Sequence, residues 1–115
     1  MFVLVWMKEA KARYATLKAA AEKAAASRQK AGKRKSTKAE GLFKQVNKAI
    51  WLLSQDPRHP SLATHEFHSL EHPYDRSRKV FEAYIQQHTP GAYRLFWCYG
   101  PSKGNITLIA ITSHP

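Results

Sequence analysis

Cysteine is nearly missing from this sequence: Cys98 stands alone among 115 residues, which excludes an internal disulfide and any multi-cysteine metal site. Long apolar runs are missing too. The seven residues Met1 to Met7 before Lys8 are too short to span a membrane and too short for a signal-peptide core behind a basic leader. A reducing, cytoplasmic home without a membrane is expected. There is no phosphate-binding glycine loop, dinucleotide fingerprint or GxSxG elbow, which sets aside the enzymes built on them. No helix-turn-helix signature and no internal repeat is present. Acidic residues are scarce, eight against nineteen Lys and Arg, for a net charge of +11.

That excess is uneven. Residues 1–50 hold thirteen basic and three acidic residues, a net of +10, whereas residues 51–115 hold six and five, a net of +1. Such asymmetry points to a polyanionic or acidic partner met by the first half: nucleic acid first, an acidic protein second. The length suits one domain spanning 1–115, with a core of a sheet and a few helices.

Residues Gly91 to Pro115 organise the remainder. They read as two strands, Ala92 to Tyr99 and Asn105 to Thr112, joined by a turn built from Gly100, Pro101, Ser102, Lys103 and Gly104. Alternation puts Tyr93, Leu95, Trp97 and Tyr99 on one face and Arg94, Phe96 and Cys98 on the other. Earlier, Met1 to Trp6 reads as a strand. From Lys8 to about Arg28, Ala, Lys, Glu and Arg favour a helix whose narrow apolar face is Tyr14, Leu17, Ala21 and Ala24. A basic turn follows, then a helix opened by the capping-box spacing of Thr37 and Glu40. Its fuller stripe is Leu42, Phe43, Val46, Ile50 and Leu53, with Trp51 beside it, and Asp56-Pro57 ends it. A short strand within Thr64 to Leu70 and another over Val80 to Gln86 complete an α+β pattern, a helical hairpin laid on a mainly antiparallel sheet.

Three features bear on chemistry. The segment Arg28 to Lys38 carries six cations, Arg28, Lys30, Lys33, Arg34, Lys35 and Lys38, and no acid. It is either a solvated loop or a phosphate-contacting one. Arg94, lone in an apolar strand, either forks onto a phosphate or pairs with Glu82 of the neighbouring strand. His114 is either a frayed terminal residue or a general acid or base. Histidines 65, 68 and 72 lack convincing ligand spacing, so no metal is assigned. The strand aromatics resemble a stacking platform, yet core packing is the expected task for most of them.

With these residues in view, the sequence resembles the RelE/ParE superfamily of bacterial toxin–antitoxin toxins. The resemblance runs through VWMKEAKARY, LLSQDPRHPSL, KVFEAYI, GAYRLFWCYG and NITLIAITSHP, essentially the whole chain. It implies an N-terminal strand and a helical hairpin packed on one face of a curved antiparallel sheet, with the active surface on the other. For the RelE branch it implies metal- and cofactor-independent cleavage of mRNA, on or off the ribosome, by attack of a ribose 2′-hydroxyl on the adjacent phosphate. Arg94 then corresponds to the phosphate-binding arginine and His114 to the acid or base at the end of the last strand. The family's further basic residues have their nearest equivalents in His65, His68, Arg76, Arg78 and Lys79, and the general base is not identified. An acidic antitoxin is the implied partner. The long, alanine-rich first helix keeps the ParE branch open, whose members poison gyrase without hydrolytic chemistry, and an inactive relative that binds only nucleic acid or an antitoxin is the further alternative.

Overall fold

A computed structural model describes residues 1–113 of the chain. Strand β1 (Val3–Trp6) leads into helices α1 (Lys8–Lys30) and α2 (Lys38–Gln55); β2 (His65–Phe67), β3 (Val80–Tyr84), β4 (Tyr93–Tyr99) and β5 (Asn105–Ser113) follow. The strands form one sheet in the order β1-β5-β4-β3-β2. β1 lies parallel to β5, and the other neighbours are antiparallel. The expected α+β arrangement is present. Element ends shift by a few residues: α1 continues to Lys30, β2 is only three residues long, and β3 stops at Tyr84. There the N–H groups of Ile85 and Gln86 both donate to the Tyr93 carbonyl, at 3.1 and 3.2 Å, which breaks the ladder.

The two faces of the sheet differ. Leu95 and Trp97 of β4 point to the helices and join Val46, Leu53, Leu62, Ile106 and Leu108 in the main core, as the strand alternation predicts. Arg94, Phe96 and Cys98 point away, where Phe96 and Cys98 gather with Val80 and Ile109 in a smaller cluster. The side chain of Trp51 stays 61% exposed on the outer side of α2.

The hairpin turn is built by local polar chemistry. The Thr37 hydroxyl accepts from the Glu40 N–H at 3.3 Å, and the Glu40 carboxylate accepts from the Thr37 N–H at 2.6 Å, a complete capping box. Arg28 donates to both Glu40 oxygens, at 3.0 and 3.1 Å, and to the Lys33 carbonyl at 3.0 Å. Arg28 therefore binds the end of α1 to the start of α2.

The segment linking β2 to β3 straps the open face at the end near the β4–β5 turn. His72, 4% exposed, accepts from the N–H groups of Tyr74 and Asp75 through Nδ1. Its Nε2 therefore carries the proton and donates to the Tyr99 carbonyl at 2.9 Å. The Tyr74 hydroxyl lies 2.9 Å from Thr107 Oγ1, which donates onward to the Gly100 carbonyl at 2.8 Å. The rest of that face is left uncovered by the strap.

Candidate phosphate site on the open sheet face

Register brings four polar or aromatic side chains together on this face. Tyr84 pairs with Arg94 and Arg94 with Thr112; one step along, His65 pairs with Glu82 and Glu82 with Phe96. Directly opposed residues share a face, about 5 Å apart. Arg94 Nη1 lies 3.3 Å from Glu82 Oε1, and the guanidinium carbon sits 4.0 Å from the centre of the Tyr84 ring. The ring face holds the cation from one side. Arg94 Nε is buried and has no partner among the described residues. Of the two readings of Arg94, the ion pair with Glu82 is present.

Glu82 is 6% exposed, and its Oε1 also lies 2.6 Å from His65 Nε2. His65 Nδ1 lies 3.1 Å from the Ala63 carbonyl. Both ring nitrogens of His65 thus face acceptors, a carbonyl and a carboxylate. Such a pair can pass a proton to a bound group.

The other sequence candidates are dispersed. Lys30, Lys33, Arg34, Lys35 and Lys38 sit exposed around the hairpin turn, roughly 20 Å along α1 from Thr16, the helix residue nearest the sheet's open groove toward that turn. Arg28 is among them in sequence but faces Glu40. On the strap, Arg76 pairs with Glu71 at 3.4 Å and Lys79 with Glu66 at 3.7 Å, both exposed. The Arg78 guanidinium lies over Gly100, 3.4 Å from where a Cβ would stand. None of these joins Arg94 in a single cluster. His114 lies outside the described residues. Nearby, burial pushes the Cys98 thiol up to about 11 while Arg78 pulls weakly the other way.

The His65–Glu82 pair and Tyr84 are what sequence reasoning missed as a site. Glu82 and Tyr84 are already legible on one face of an alternating strand. Pairing with His65 depends on the β2–β3 register, for which the strap of twelve residues between Phe67 and Val80 leaves no sequence rule.

No family model and no curated protein matches the sequence. Solved structures do. A YoeB/ParE toxin from Agrobacterium tumefaciens, 14% identical, aligns over 97% of this chain and 98% of that chain with a TM-score of 0.58. The fold is that of a YoeB/ParE toxin. A copper-bound mutant toxin from Helicobacter pylori, 16% identical, aligns over 99% of this chain and 96% of that one with a TM-score of 0.48. Within this YoeB/ParE fold the helical hairpin covers one sheet face, and Arg94, Glu82, His65 and Tyr84 stand on the opposite one. No described helix is long and apolar enough to cross a membrane.

Proposed function

We propose that the protein is a toxin of the toxin–antitoxin type that cleaves mRNA, on or off the ribosome, without a metal or cofactor, and that an acidic antitoxin neutralises it. One observation supports this above the rest. A sheltered guanidinium stands beside a histidine–carboxylate pair in hydrogen-bond contact on an open sheet face. Arg94 meets the scissile phosphate and steadies the charge that grows on it. The O2′–P bond forms as the P–O5′ bond breaks. His114 takes the 2′-hydroxyl proton, and a proton from the His65–Glu82 pair goes to the departing 5′ oxygen. The products are a 2′,3′-cyclic phosphate and a 5′-hydroxyl. Lys33, Arg34 and Lys35, with Lys30 and Lys38, grip phosphate backbone at a distance.

The long, largely exposed α1 favours a second reading, a gyrase-directed toxin that acts by protein binding. Regulated expression in a bacterial host separates the two. Growth arrest with transcript cleavage, lost in Arg94→Ala and His114→Ala, is the expected result. Arrest with intact transcripts in all three proteins would transfer the reading to gyrase.

A further inference from the structure

The open face carries a groove of about 700 Å³ between the sheet and the first turns of α1. Strand pairing explains why it exists. β1 ends at Trp6, opposite Leu108, while β5 continues to Ser113. Beyond Leu108, α1 takes the place of the missing strand, and Glu9, Arg13 and Thr16 rise as a wall beside the sheet. The floor is Phe96 and Phe67, whose rings meet at 4.7 Å, and the small Ala110 next to them gives the groove depth.

Its charge differs from the rest of the molecule. In a chain of net charge +11, the groove holds one acid and one base, Glu9 and Arg13, a turn apart on α1. Neither makes an ion pair among the described residues. A phosphate or an acidic peptide gains nothing from a groove without net positive charge and meets the Glu9 carboxylate. A neutral, flat group with donors and acceptors on its edge suits it: rings for its faces, a carboxylate and a guanidinium for its edge. Thr112, at the groove's rim, stands directly opposite Arg94. That is about 5 Å, within the reach of one nucleotide.

We infer that this groove is a nucleobase subsite, holding the base of the nucleotide whose phosphate sits on Arg94. The base stacks on the Phe67 side of the aromatic floor, and Glu9 and Arg13 read its edge. This rests on the ribonuclease reading above and adds a source of sequence preference to it.

Binding of uncleavable 2′-O-methyl tetra-adenylate is compared with versions carrying an abasic residue at each position in turn. The intact probe is expected to bind about 5- to 100-fold more tightly than the version abasic at one particular position. Phe67→Ala should lose the same factor for the intact probe and be indifferent to the abasic change; Phe67→Tyr should restore it. Glu9→Gln and Arg13→Ala, on the helix surface, leave the fold alone and should reduce the discrimination between bases at that position. Arg94→Ala should weaken every probe alike. Abasic probes that all bind as the intact one does, with Arg94→Ala still harmful, would overturn the subsite and spare the ribonuclease reading. Arg94→Ala without effect on probes or transcripts would overturn both. An acidic peptide whose binding depends on Phe67 while the probes' does not would give the groove to a protein partner instead.

Discussion

Arg94 and Glu82 meet at 3.3 Å across β3 and β4, with side chains only 16% and 7% exposed, and Glu82 is shared with His65 on its other side. The pair is diagonal: Arg94 stands opposite Tyr84, and Glu82 opposite Phe96. Any anion arriving at Arg94 competes with a carboxylate already there. Arg94 is held in place by an acid with which such an anion has to compete.

Removing Arg94 should cost stability. Arg94→Ala leaves Glu82 buried with His65 alone, and breaking such a pair typically costs about 3–5 kcal/mol. The double variant Arg94→Ala/Glu82→Gln should recover part of it. Urea unfolding of the three proteins checks this, and equal stabilities would mean that the ion pair contributes nothing.

If the protein cleaves RNA as proposed, Arg94→Lys, which keeps the charge but loses the planar fork, should retain little activity. His65→Ala should lower the rate by about 10²–10⁴, the usual contribution of a positioned proton donor. Single-turnover cleavage of a short RNA by well-folded variants provides the measurement. An unchanged rate for His65→Ala would remove the histidine–carboxylate pair from the mechanism.

The hairpin turn should loosen in acid. Glu40 is held below the usual carboxylate range, first by its hydrogen bonds from Arg28 and then by the Thr37 N–H. A carboxyl depressed on folding stabilises the native state above its unfolded value of 4.5, and that contribution disappears as pH falls through the lower folded value. Amide protection factors near residues 31–37, corrected for the intrinsic exchange rate at each pH, should fall only below about 4.5. In Glu40→Gln protection there should be low throughout.

If the hairpin tip grips RNA backbone, affinity must fall with salt. Replacing Lys33, Arg34 and Lys35 together by Ala should reduce the slope of log K against log salt by about 2, at about 0.7 per single-strand contact. A slope that does not change would leave the tip as a solvated loop.

Cys98 should resist alkylation in the native protein. It is fully buried, and burial raises its thiol to about 11, so almost no thiolate exists at pH 8. Modification should follow unfolding by denaturant; rapid labelling without denaturant would contradict its place under the strap.

Local chemistry was readable from residue order. The alternation in Tyr93 to Tyr99 assigns Arg94 to the face away from the core, because side chains of a strand take opposite sides in turn. Thr37 and Glu40 announce the start of α2 because each satisfies the other's backbone N–H within one turn. The asymmetry of charge was equally plain, although residue order alone counts Arg28 with the exposed cations, and its partner Glu40 lies twelve positions away.

Only the tertiary structure decided what surrounds Arg94. His65 reaches Glu82, and Thr112 reaches Arg94, through strand registers fixed by turns and by the buried faces of the whole sheet. The groove beside them is a consequence of β1 stopping at Trp6 while β5 runs on, so that a helix borders the sheet where a strand would otherwise close it. Periodicity fixes which way a side chain points, but it carries no information about which distant residue is brought to meet it.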